Sequence, residues 1–182
     1  VRGRYFIAQV GANASSVRRP LLQFDLRDIP VNASVSDASL SLWESGVLRG
    51  SGTVNVHRLT SDFAEGTGIN TCTGDGASWY DRSPGVRWGS NGGDFAAAVI
   101  ASKAKAAGDQ PGWDDFGVTS TVQQWVRGDV PNLGFLLKLA DESFSPCTTV
   151  TNCNYWGYFT DDYTVAPTLR LTRRGSTCPI AT

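Results

Sequence analysis

The segment PLLQFDLRDIPVNASVSDASLSLW, Pro20 to Trp43, decides the fold class. Leu22, Phe24 and Leu26 share one side of an extended chain, and Gln23, Asp25 and Arg27 share the other. Ala38, Leu40 and Leu42 repeat the pattern against Ser39, Ser41 and Trp43. A period of two with one apolar side marks a half-buried strand. Pro30 removes a backbone donor and presses Ile29 toward extended geometry, so the first strand stops there at a polar corner. Strands that each keep a wet face belong to antiparallel sheets, which points to a sandwich rather than a parallel sheet.

Working outward, the same alternation predicts strands over 4–10, 17–27, 37–43, 53–59, 113–119, 133–140, 155–161 and 167–173. Between Asp62 and Pro111 it breaks down into a long insertion rich in Gly, Ser and Asp. Within that insertion, Phe95 to Ala107 is Ala-rich and reads equally well as a short helix or an edge strand. From Ser120 to Gly128 the spacing turns helical, with Val122, Trp125 and Val126 on one side. Ser120 and Gln123 form a capping-box pattern, and Gly128 suits the helix end. The expected architecture is an all-β, antiparallel, jelly-roll-like sandwich of about eight strands, with one short helix plugging one end. It forms one domain over 1–182, with an insertion at about 62–111 and a C-terminal tail at 173–182.

Composition narrows the function. A net charge of −1 over 182 residues lacks the basic excess of a nucleic-acid binder. No apolar run approaches the roughly 20 residues that span a bilayer. The four cysteines, Cys72, Cys147, Cys153 and Cys178, form no CxxC pair, and His57 is the single histidine, which argues against zinc. An even count in a Gly-, Ser- and Thr-rich chain suits disulfides and an oxidising compartment, hence a secreted or cell-surface protein. Four cysteines allow three pairings; the preferred one joins Cys147 to Cys153 across a short loop and Cys72 to Cys178 between the insertion and the tail.

Five segments, VRRPLLQFDLRDIP…ASVSDASLSLW, VNVHRLTSDFAEG, WDDFGVTSTVQQWVRG, NLGFLLKLADES and GYFTDDYTVAPTLRLT, together resemble the DNRLRE-domain family in order and spacing. That family is related to the repeats of archaeal disaggregatase and to carbohydrate-binding modules that include alginate binders. The resemblance runs from about Gly3 to Thr172 and implies a non-catalytic extracellular β-sandwich, often appended to polysaccharide-active enzymes. The hexapeptide that names the family is missing here. Family members also carry one more strand ahead of the one resembling RYFIAQV, so the chain is either cut there or receives that strand from elsewhere.

The chemistry-bearing residues favour binding over catalysis. There is no GxSxG elbow and no HExxH, and His57 reads as a hydrogen-bonding structural residue. The neighbours Asp114–Asp115 and Asp161–Asp162 point to opposite faces of a strand, so they suit turns and solvation better than acid–base work. Asp141, Glu142, Asp161 and Asp162 would make a structural calcium site if they converged, although no cofactor is required. Flat rings stack on pyranose faces, which makes Trp43, Trp79, Tyr80, Trp88, Trp156 and Tyr158 the candidate carbohydrate contacts, while Trp125 belongs to the core. Arg4, Arg18 and Arg19 cluster near the start and suit a carboxylated polysaccharide or cell-surface glycan. The alternative reading is a structural subunit whose open sheet edge receives a strand from another copy of the chain, building an extracellular filament.

Overall fold

The structure, a computed structural model, describes residues 7–13, 16–45, 50–67, 74–143, 154–160 and 164–173. Among the described residues, twelve strands and one helix follow in the order β1 (Ile7–Asn13), β2 (Ser16–Arg18), β3 (Leu21–Leu22), β4 (Val35–Trp43), β5 (Gly52–Leu59), β6 (Asp81–Ser83), β7 (Val86–Arg87), β8 (Phe95–Lys105), β9 (Trp113–Gly117), α1 (Thr119–Arg127), β10 (Phe135–Leu139), β11 (Asn154–Phe159) and β12 (Thr168–Arg173). All pairings are antiparallel. One sheet runs β3-β10-β5-β8; the others are β12-β4-β9, β11-β1-β2 and the hairpin β6-β7. A bridge between Glu44 and Tyr158 links the two three-stranded sheets. Inward residues of the three larger sheets, among them Val10, Leu40, Val56, Phe116, Leu137 and Trp156, form one apolar cluster. The chain is thus an all-β sandwich with one helix, as the alternation requires.

The opening segment behaves as its pattern says in burial, but only partly in pairing. Leu22, Phe24 and Leu26 pack half-buried on the core, and Gln23, Asp25 and Arg27 are exposed. Of residues 20–27, only Leu21 and Leu22 join a ladder, against β10. From residue 23 onward a side chain takes over: Asn132 Nδ2 donates to the Phe24 carbonyl at 2.8 Å, and Gln23 Nε2 donates to the Asn132 carbonyl at 3.0 Å.

The insertion is shorter than expected, because its Ala-rich end is β8, the edge strand of the four-stranded sheet. β8 pairs with β5 from Gly52↔Lys105 to Leu59↔Phe95. The open edge of β5 supplies the backbone partners that override alanine's helical preference. The remaining loop is held by Asp94, whose carboxylate accepts from Ser61 Oγ and from the Gly89 and Ser90 amides, each at 2.9 Å. Burial raises the Asp94 pKa, but those three hydrogen bonds outweigh it and hold the group below the ordinary range.

The capping box is not formed. The helix begins at Val118, which makes no side-chain cap. Gln123 reaches β4 instead: its Oε1 accepts from the Val35 amide at 2.7 Å and its Nε2 donates to the Ala33 carbonyl. Gly128 does close the helix in the left-handed conformation, at φ 77°. Trp125 packs on Phe135 with ring centroids 4.7 Å apart, placing the helix on the core. All four cysteines, and with them both preferred disulfides Cys147–Cys153 and Cys72–Cys178, lie outside the described residues.

Candidate functional site

A groove of about 1250 Å³ follows the chain from Val17 to Val31 and is bounded opposite by Phe63, Trp79 and Pro167. Its apolar side exists because the alternation of the opening segment continues past the end of β3. Phe24, Leu26 and Ile29 are covered on the core side, with no strand of the described residues laid beside them. Its polar side carries Arg18, Gln23 and Arg27. Arg18 is exposed and its guanidinium stands 4.9 Å over the Tyr155 ring. Arg27 pairs with Asp25 in the open, and that hydrogen-bonded pair lowers the Asp25 pKa to about 2.

Trp79 is the most exposed aromatic residue of this groove, 36% exposed, where Phe24 and Phe63 are half-buried. Its position is fixed by Arg19, whose guanidinium lies 4.9 Å over the indole. Arg19 is itself locked: Nε and Nη2 form a two-pronged pair with Glu142 at 2.9 and 2.6 Å, and Nη1 donates to the Gly92 carbonyl. Gly92 must be glycine here. It sits at φ 87°, and a Cβ would lie 2.6 Å from Arg19 Nη1 and 2.7 Å from the Trp79 ring.

This geometry corrects several residues read from the sequence. Trp156 is fully buried, Tyr158 is 2% exposed and Trp88 is 5% exposed, so none presents a face to a ligand. The alternation of β11 misleads because both faces of that strand are covered. Trp88 is held inside the insertion by donating from Nε1 to the Ser78 carbonyl. Trp43 is half-buried and stacks edge-on against Trp113, away from the groove lining. Tyr80 is exposed, with Arg87 over its ring, but it too lies outside the lining. Arg19 is a brace for Trp79 rather than a free cation. Glu142 is no calcium ligand as placed, because Arg19 takes both its oxygens and Lys138 Nζ stands 3.5 Å away. Asp141 is held below the ordinary carboxylate range by hydrogen bonds from the Ser143 hydroxyl and then from the Ser143 amide. Asp161, Asp162 and Arg4 lie outside the described residues. No three His, Cys, Asp or Glu side chains among the described residues cluster as a metal site. His57 is buried, with Nδ1 2.9 Å from the Ala96 carbonyl, in keeping with a structural residue.

A second constellation was not anticipated. Glu44, Lys105, Asp114 and Tyr158 are each at most 7% exposed and meet between the layers. Lys105 Nζ lies 2.5 Å from Glu44 Oε2 and donates to Asp114 Oδ2 at 2.7 Å. The Tyr158 hydroxyl donates to the same Asp114 oxygen at 2.7 Å. Lys103 approaches Asp114 Oδ1 from the surface at 3.6 Å. Of the Asp114–Asp115 pair, Asp114 points in, and Asp115 stays exposed and accepts from Ser41 Oγ. Burial alone would lower the Lys105 pKa, but hydrogen bonds to Asp114 and Glu44 reverse this and raise it. Burial, then the Asp114 charge, pushes the Tyr158 phenol well above its ordinary 10.

Both folded-state values exceed the unfolded ones. Their stabilisation is therefore complete below the unfolded pKa values and is lost as pH rises through the folded ones. The urea midpoint should fall as pH climbs above about 10, and Tyr158→Phe should flatten part of that fall. An equally steep fall in Tyr158→Phe would contradict the placement of the phenol.

Comparison with protein-family models and with curated proteins finds no match for this chain.

Proposed function

We propose that the chain is a non-catalytic module of a secreted or cell-surface protein whose groove along Val17–Val31 binds a carbohydrate chain, an acidic polysaccharide in preference. The observation that carries this reading is the braced, partly exposed Trp79 ring in a groove that also holds apolar side chains and the exposed Arg18. An indole offers the apolar C–H face of a sugar a flat surface, and the exposed Arg18 guanidinium offers paired donors to a carboxylate. The resemblance to the DNRLRE-domain family and its alginate-binding relatives agrees with it. The test is tryptophan fluorescence titrated with oligouronates and, separately, a neutral glucan. Oligouronates should perturb the emission, and Trp79→Ala should weaken binding about tenfold or more with the fold intact. Equal affinity in Trp79→Ala would remove the site.

A second reading rests on the edge beyond β3. Residues 23–26 keep a strand's alternation but join no ladder among the described residues. A strand from another copy would pair along this edge and build a filament. Negative-stain microscopy of native secreted material separates the two: fibres with a repeat of one domain favour the filament, dispersed monomers the binding module.

A further inference from the structure

We propose that Lys105 and Asp114 condense to an intramolecular amide, a covalent staple between the two layers of the sandwich. The two residues sit on β8 and β9, edge strands of different sheets, so a bond between them ties one layer to the other. A buried ion pair made only for stability is a poor arrangement, because desolvation cancels most of its attraction. This one is built like a reaction site.

The nucleophile is in place. Lys105 Nζ donates to Asp114 Oδ2 at 2.7 Å, with both side chains buried, so the amine is held beside the carboxyl group it would attack and away from solvent. A proton carrier is in place, since Glu44 Oε2 lies 2.5 Å from the same nitrogen. A donor to the leaving oxygen is in place, since the Tyr158 hydroxyl donates to Asp114 Oδ2, the oxygen that takes the Lys105 proton and departs as water.

The step balances with these groups alone. One ammonium proton passes along the Lys105–Asp114 hydrogen bond to Oδ2, leaving an amine facing a carboxylic acid. Nζ attacks the carboxyl carbon and gives its second proton to Glu44. Glu44 returns that proton to the departing hydroxyl, water leaves and the carbonyl re-forms. The C–N bond replaces a C–O bond, no oxidant or reductant is consumed, and Glu44 ends as it began. Lys105 then no longer titrates, and the alkaline loss of stability is left to Tyr158.

The experiment is the intact mass of the folded, cysteine-reduced chain. The proposal expects a mass lower than the sequence mass by one water. Trypsin should leave Lys105 uncut and release residues 104–127 as one peptide lacking one water, with no backbone fragments between Lys105 and Asp114. Glu44→Gln, which keeps both partners, should return to full mass. Lys105→Arg, which keeps the cation but is a far weaker nucleophile, should do the same and serves if Glu44→Gln does not fold. A wild-type chain at full sequence mass that trypsin cuts after Lys105 would overturn the proposal. So would a loss of water that persists in Lys105→Arg.

Discussion

Replacing Trp156 by alanine should lower the stability of the fold by about 3–5 kcal/mol, the largest loss expected from any one apolar truncation here. The ring has no exposed surface and sits in the strand that pairs with β1 at Val10. Its neighbours cannot close in, because Gly52 already stands against it: a Cβ there would lie 3.0 Å from Trp156 Cη2. Nε1 has no hydrogen-bond partner among the described residues, so the loss is one of packing and cavity, with no polar contribution to offset it. A urea or thermal melt measures it. A loss below about 1 kcal/mol together with weakened sugar binding would mean that the ring faces solvent and that the core is drawn wrongly.

The second large effect belongs to Asp114. Asp114→Ala leaves the Lys105 ammonium buried with Glu44 as its remaining buried partner, and orphans the Tyr158 hydroxyl. Breaking a buried ion pair on one side costs about 3–5 kcal/mol, because the charge left behind is not resolvated. The sign reverses when the whole set is made apolar. Glu44→Leu, Lys105→Met and Asp114→Leu together, with Tyr158→Phe, should recover the part of the loss that the stranded charge causes, leaving the part owed to the missing Lys105–Asp114 link. Equal destabilisation of the single and the fourfold variant would show that the site holds the fold through something other than its charges.

The fold was readable because its core follows the simplest periodicity. Ala38, Leu40 and Leu42 are buried as their spacing says, and so are Val54, Val56 and the helix side chains Val122, Trp125 and Val126. Alternation misled where both faces of a strand are covered. In β11 it set Trp156 and Tyr158 on a ligand-facing side, yet Tyr155, Trp156, Gly157 and Tyr158 are all buried. In β5 the run from Val54 to His57 is buried throughout, with the His57 ring 4.9 Å from that of Phe95 on the neighbouring strand. A period of two tells the sides of a strand apart but not what covers them.

The ionic cluster had a signal of its own. Glu44 continues the inward series of Ala38, Leu40 and Leu42, and Asp114 precedes Phe116 and Val118 on the same inward spacing. A charge on an apolar face asks for a buried partner. The partner itself was not legible, since Lys105 ends a strand whose Ala-rich sequence fits a helix equally well. The groove was half legible. The opening segment supplied its apolar wall, but Trp79 reaches it through the insertion, where glycine conformations and the Arg19–Glu142 brace decide position. No local pattern encodes those.

The claim that the groove is the binding site is tested most directly by amide and indole NMR of the chain titrated with an oligouronate. The account predicts shifts gathered at Arg18, Gln23, Arg27 and the Trp79 indole, with Trp43 and Trp113 unmoved. Shifts centred on Trp43 and Trp113, or none at saturating sugar, would contradict it.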